Sequence, residues 1–281
     1  MIHKIKSLLL DVLTVTYGNA LIFLRPKRVQ QLSEEGMTLV LNKMSISDRL
    51  MRRAILRKLE TKKDYNKLAD LHQNYWKHKG ANFFKNNEKT FVNEFLKNCI
   101  FIFDELEKEI SKSPNSYHTM VEIGTGSGSV LNYLCSRFDT IEQFIGIDLS
   151  QEQIQLNKEK FGDNKKIRFV ASDGFDWIRE HAQGNTIFLT SRGVLEYFTE
   201  HRLQAFLQAV NRLGKTMFIA IEPNGTDHDL ETNPKSQPYG YERSFSHNYA
   251  QLFKNANFEL WHFSQKPLDS LAYMSFIGAK N

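Results

Sequence analysis

The stretch Met120-Val121-Glu122-Ile123-Gly124-Thr125-Gly126-Ser127-Gly128-Ser129-Val130 sets three glycines at alternate positions directly after a short apolar run. The apolar run reads as a buried strand, and the residues from Ser129 to Phe138 read as a helix. Glycine lets a backbone turn tightly and approach a ligand with no Cβ in the way. A helix opening straight after such a turn aims unpaired N–H groups at whatever sits there. The segment therefore predicts a strand, a ligand-binding loop and a helix, with the ligand still to be chosen.

The chain around it alternates in the same manner. Strands are expected at Thr119–Ile123, Gln143–Ile147, Lys166–Val170, Thr186–Thr190 and Thr216–Ile221. Between and after them, helices are expected at Gln151–Phe161, Phe175–His181, Glu200–Leu213 and Phe245–Ala256. Short apolar strands alternating with amphipathic helices indicate a mostly parallel sheet covered on both faces. Phe258–Ser264 and Ala272–Ala279 have no helix between them and should close one edge as an antiparallel hairpin. Glu222 to Arg243 reads as a long polar loop holding three of the six prolines. Three helical patterns precede the alternation. The first opens at the capping pair Ser47-Asp48, the second covers about Lys63 to Lys77, and the third about Glu88 to Lys112. The run Ser111-Lys112-Ser113-Pro114-Asn115-Ser116 breaks the pattern. It divides a helical extension, 1–112, from an α/β domain, 113–281.

Two later strand ends narrow the ligand. Asp148, in Gly146-Ile147-Asp148-Leu149-Ser150, sets a carboxylate at the second strand's edge, where two oxygens can accept from both hydroxyls of a ribose. A dinucleotide enzyme would use a similar acid. Asp173, in Val170-Ala171-Ser172-Asp173-Gly174-Phe175, can accept from an exocyclic amine of adenine while Phe175 packs on the ring; as a helix N-cap it has an equally plain structural reason to be there. The spacing Glu122-x-Gly124-x-Gly126-x-Gly128, with these acids and the terminal hairpin, resembles the class I S-adenosylmethionine-dependent methyltransferases from about Tyr117 to Asn281. The resemblance implies a Rossmann-like seven-stranded sheet of order 3-2-1-4-5-7-6. It also implies an S-adenosylmethionine site formed by Glu122, Gly124, Thr125, Gly126, Gly128, Asp148, Leu149, Asp173, Gly174, Phe175 and Ser191, with no metal. The chain departs from the pattern in opening its fourth strand with Gly184-Asn185-Thr186, where an acid is frequent. It lacks both the Asn-Pro-Pro-aromatic tetrapeptide after that strand and a Pro-Cys nucleophile, which disfavours base methylation of DNA and leaves RNA open.

Charge is uneven. Residues 1–63 hold 13 Lys and Arg against 5 Asp and Glu, a net of +8, and the remaining 24 against 27 leave −3. A basic block suits an anionic surface or a solvated helix face. Leu8 to Leu24 is apolar but interrupted by Asp11, Thr14, Thr16 and Asn19, too short and too polar for a span of about 20 residues. Flanking Lys4, Lys6, Arg25, Lys27 and Arg28 suit a helix lying in a lipid interface, so residues 1–28 are expected to make peripheral membrane contact or to pack on their own domain. Cys99 and Cys135 lack metal-ligand spacing and read as reduced thiols of a cytoplasmic protein.

The expected reaction is methyl transfer to a small-molecule acceptor, apolar or lipid-linked. The alternatives are an RNA or protein methyltransferase docking through the basic block, and a non-catalytic cofactor-binding module. Reaction centres in open α/β sheets lie beyond the C-terminal strand ends, which points to Ser191–Phe198 and to the 222–243 loop. His228, between Asp227 and Asp229, is the nominal general base, with His247 and Glu196 next. The helices before the loop are expected to cover the pocket. The aromatic run Tyr75-Trp76-Lys77-His78-Lys79-Gly80-Ala81-Asn82-Phe83-Phe84, expected at a helix end, would line its acceptor side or simply pack onto the α/β domain.

Overall fold

The computed structural model describes residues 14–38, 44–87, 89–114 and 116–281, so the part of the membrane-contact expectation that falls on residues 1–13 lies outside them. The chain forms two compact units, one made of residues up to His78 with Tyr241–Ser244, the other of Lys79–Gly240 with Phe245–Asn281. The break at 112/113 marks where strands begin, whereas the helices after Lys79 belong with the sheet.

The first unit is helical. A π turn, Thr14–Gly18, leads into α1 (Asn19–Leu24), α2 (Pro26–Glu35), α3 (Ile46–Thr61) and the first part of α4 (Tyr65–Asn86). The α3 cap is Ser45, whose Oγ accepts from Asp48 N at 3.1 Å, so the helix starts one residue before the expected Ser47-Asp48 pair. Leu32, Met51, Leu56, Leu68, Leu71 and Tyr75 form its buried interior. Arg52 is buried there, and its Nε donates to Met37 O at 2.6 Å while burial lowers its pKa to about 10. The helix α4 continues to Asn86, because nothing in Tyr75–Phe84 breaks it. The aromatic run is therefore mid-helix and is shared between the two units.

The second unit continues with a π turn at Phe91–Phe95, α5 (Leu96–Cys99) and α6 (Phe101–Ser111). Then come β1 (Thr119–Ile123), α7 (Ser129–Arg137), β2 (Gln143–Asp148), α8 (Gln151–Phe161), β3 (Ile167–Ala171), α9 (Gly174–His181) and β4 (Thr186–Ser191). A 3-10 turn at Leu195–Tyr197 precedes α10 (Glu200–Arg212) and β5 (Thr216–Gly225), followed by the short pair β6 (Gln237–Tyr239) and β7 (Ser244–Ser246). The chain ends with α11 (Tyr249–Asn255), β8 (Glu259–Pro267) and β9 (Ala272–Lys280).

The seven-stranded sheet runs β3-β2-β1-β4-β5-β9-β8, parallel through β5 and antiparallel at β9 and β8. With the separate β6–β7 pair left uncounted, this is the expected 3-2-1-4-5-7-6. Alternate residues feed opposite cores, Ile187 and Leu189 of β4 on one side and Phe188 on the other. Strand β5 runs four residues past its expected end, so Glu222–Gly225 pair with β9 and do not begin a loop. Polar Glu222 and Asn224 hid this strand; both are buried and hydrogen-bonded. Phe245 lies in β7, and the helix expected from it begins at Tyr249, capped by Asn248, whose Oδ1 accepts from Gln251 N at 3.1 Å.

Candidate active site

The three loop glycines all adopt left-handed backbone, with φ of +68° at Gly124, +50° at Gly126 and +70° at Gly128. Only glycine takes that conformation without steric cost. A Cβ on Gly126 would also stand 2.6 Å from the Phe84 ring, so this phenylalanine of α4 lies directly over the loop. The backbone of Gly126 is held on both sides. Its N donates to Asp148 Oδ2 at 2.9 Å, and its O accepts from Asn157 Nδ2 at 2.7 Å. Asn157 is in turn fixed by Gln153 at 2.8 Å. Sequence reading missed Asn157, whose role appears only once α8 is folded against the loop.

Asp148 is 8% exposed at the end of β2. Its Oδ1 accepts from Ser150 N at 2.9 Å and its Oδ2 from Gly126 N. Burial pushes its carboxyl up, against the pull of these backbone donors. Each oxygen has a second lone pair, so the carboxylate can still accept from a ribose diol. Leu149 beside it is half-buried. Asp173 caps α9, accepting from Phe175 N at 2.9 Å and Asp176 N at 3.2 Å. The structural reason for an Asp there is thus present. Arg202 also donates to Asp173 Oδ1, at 2.7 Å, and its guanidinium lies over the Phe198 and Phe175 rings at 5.0 and 5.8 Å. Gly174 is required by packing, since a Cβ would meet Ile123 Cγ2 at 2.4 Å.

Glu122 is fully buried. Its Oε1 accepts from Ser191 Oγ at 2.5 Å and its Oε2 from Thr125 Oγ1 at 2.7 Å, while burial raises its pKa to about 7. Three expected site residues are therefore bonded to one another, joining the ends of β1 and β4 to the glycine loop. Beyond β4, Glu222 accepts from Val194 N at 2.9 Å and Leu195 N at 3.0 Å, and burial raises it to about 7 as well.

His228 is placed differently from its expectation. It is 4% exposed, and both ring nitrogens are engaged inside the chain. Ser246 Oγ accepts from Asn224 Nδ2 at 3.1 Å and Gly225 N at 3.0 Å, which fills its lone pairs. Its proton therefore goes to His228 Nδ1, 2.8 Å away, and the Nε2–H donates to Asn233 O at 3.0 Å. This leaves no nitrogen for an acceptor's proton. The ring is oriented by Ser246 and Asn233 rather than by Asp227 or Asp229. His247 is fully buried with Nδ1 2.6 Å from Ser236 Oγ, and burial lowers its pKa to about 3. Glu196 accepts from Tyr239 OH at 2.8 Å. These three residues tie down the 226–247 segment.

Residues 120–216, about a third of the chain, match a family profile described as a methyltransferase domain. No curated protein matches the sequence. Magnesium protoporphyrin IX methyltransferase from Synechocystis, solved with bound S-adenosylmethionine, is similar at 12% identity over 64% of this chain and 78% of its own, with a TM-score of 0.46. Geranyl diphosphate C-methyltransferase from Streptomyces coelicolor is similar at 12% identity over 63% and 75%, with a TM-score of 0.48. A TehB-like methyltransferase from Corynebacterium glutamicum is similar at 13% identity over 72% and 98%, with a TM-score of 0.47. On its glycine loop, its strand order and the profile match, the segment 120–216 is similar to a methyltransferase domain, set in a Rossmann-like sheet.

Proposed function

We propose that the chain transfers a methyl group to a small-molecule acceptor at the C-terminal edge of β1, β4 and β5. The observation that carries this reading is the Gly126 peptide, clamped between Asp148 and Asn157 in a backbone that only glycine adopts freely. In this reading Gly124, Thr125, Gly126 and Gly128 form the wall for the methionine portion. Asp148 and Leu149 take the ribose, and Asp173, Gly174 and Phe175 the adenine. Glu122 and Ser191 position the loop through their mutual bond rather than touching the cofactor.

The sulfonium of S-adenosylmethionine supplies an already activated methyl. What remains for the chain is to align the acceptor and exclude water. Phe84 over Gly126 supplies apolar cover, and the Glu222 carboxyl holds the turn after β4 through its two N–H groups. His228 serves this reading as a positioning residue of the 226–233 loop. Incubation with methyl-labelled cofactor and fractionated cell extract tests the proposal. Label in the small-molecule fraction supports it, and label confined to RNA or protein defeats it.

The exposed Phe23 and Leu24, at 85% and 71%, stand beside exposed Arg25 and Lys27, a pairing that supports peripheral lipid contact. Among the described residues no helix is long and apolar enough to cross a membrane. Co-sedimentation with anionic but not neutral vesicles, lost in a Phe23→Ser and Leu24→Ser double variant, checks it.

A further inference from the structure

Phe84 lies over Gly126 of the glycine loop, and Glu94 makes an ion pair just beyond the end of β4, its Oε2 lying 2.9 Å from Nη2 of Arg192. Between them is an open polar cleft of about 390 Å³, lined among others by Lys85, Asn86, Lys89, Asn93 and Glu94. Its size falls within the range of small-molecule sites, roughly 300–1,000 Å³.

Arg192 has two features that its structural neighbours leave unexplained. Its φ is +67°, a left-handed conformation that is strained for a non-glycine residue. Its backbone is pinned there by the bond from its N to Ile221 O at 2.9 Å. Its side chain is 23% exposed, yet Nη1 is buried and lacks a hydrogen-bond partner. Glu94 takes only one edge of the guanidinium, and a guanidinium offers five donors in a planar fork. An arginine held in strained backbone, at the strand end where open sheets react, with part of its fork unused, is arranged to receive an oxyanion.

We propose that Arg192, held by Glu94, binds the anionic group of the methyl acceptor, a carboxylate or a phosphate ester, and so selects acidic small molecules. This rests on the methyltransferase reading above. The unused part of the fork takes the oxyanion, while Glu94, which also lines the cleft, holds the guanidinium at the cleft's edge.

Calorimetric titration of the full chain, saturated with S-adenosylhomocysteine and held at constant ionic strength, tests the assignment with inorganic phosphate and with acetate as separate probes. At least one ion should bind saturably in the wild type. Phosphate alone marks a phosphate ester, acetate alone a carboxylate, and both mark the shared chemistry. In Arg192→Gln that binding should weaken at least tenfold while S-adenosylhomocysteine affinity stays within twofold. Arg192→Lys, which keeps the charge without the fork, should fall between them and serves where the glutamine variant does not fold. The proposal is overturned if the wild type binds S-adenosylhomocysteine but neither ion, or if Arg192→Gln binds the ions equally well. It is also overturned if the substitution weakens S-adenosylhomocysteine instead, which assigns the guanidinium to the cofactor's carboxylate. Failure of the wild type to bind S-adenosylhomocysteine defeats the methyltransferase reading and the proposal together.

Discussion

Ser191 donates to Glu122 Oε1 at 2.5 Å, and this bond joins the ends of two adjacent parallel strands, β4 and β1, beneath the glycine loop. Thr125 of the loop occupies the other oxygen at 2.7 Å. Ser191→Ala would leave half of a fully buried carboxyl without its donor, a loss of about 1–3 kcal/mol. Urea denaturation should show that loss. Turnover should fall more than S-adenosylhomocysteine affinity does, because Arg192 and the turn held by Glu222 follow directly. Equal stability of variant and wild type would remove the bond from the fold's support.

Glu122 and Glu222 are each raised by burial to about 7, above an ordinary value of 4.5. Between those two values the folded chain binds more protons than the unfolded chain, so the contribution of each group to stability declines as pH rises. It is fully present below about 4.5 and lost on passing about 7. Glu222→Gln removes one such group. The stability difference between wild type and this variant should shift against the wild type between pH 4.5 and 7.5, by on the order of 2–3 kcal/mol. Denaturation curves at stepped pH read this directly, and a pH-independent difference would contradict the burial argument.

The glycine loop and both strand-end acids were legible because each is local, and the sheet order followed from the family resemblance that they carry. Strand, turn and helix follow one another within a dozen residues, and period and glycine placement report them. What was missed depends on non-local pairing. Glu222 and Asn224 look like loop residues until β9 and the Ser246 hydroxyl supply their partners. Phe245 reads as a helical apolar position until β6 pairs with β7. His228 resembles an exposed base, since nothing in its flanking aspartates reveals that Ser246, eighteen residues on, will donate to it. Arg192 gave no signal at all, because its positive φ and its Glu94 partner exist only after folding.

Gly126→Val should abolish cofactor binding. Valine at φ +50° carries strain of roughly 1–3 kcal/mol, and its Cβ would meet the Phe84 ring at 2.6 Å. Adding Phe84→Ala relieves the second conflict but not the first, so the double variant should still bind S-adenosylhomocysteine at least tenfold more weakly than wild type. Asn157→Ala is the milder test. Removing its bond to Gly126 O should weaken S-adenosylhomocysteine about fivefold, corresponding to about 1 kcal/mol. Calorimetry on all three variants checks the set, and wild-type affinity in Gly126→Val would reject the loop assignment.

His228→Ala separates a positioning role from a proton-transfer role. The ring accepts from Ser246 and donates to Asn233, so its loss frees two buried partners and loosens the 226–233 loop. The expected cost is about 1–3 kcal/mol of stability, with S-adenosylhomocysteine affinity little changed. Any fall in turnover should be the same at every pH, because an imidazole already bonded at both nitrogens has no free lone pair to take the acceptor's proton. His228→Gln, which restores part of the bonding, should recover both stability and turnover. A variant that melts like wild type while losing the acidic limb of its pH–rate profile would instead make His228 the base.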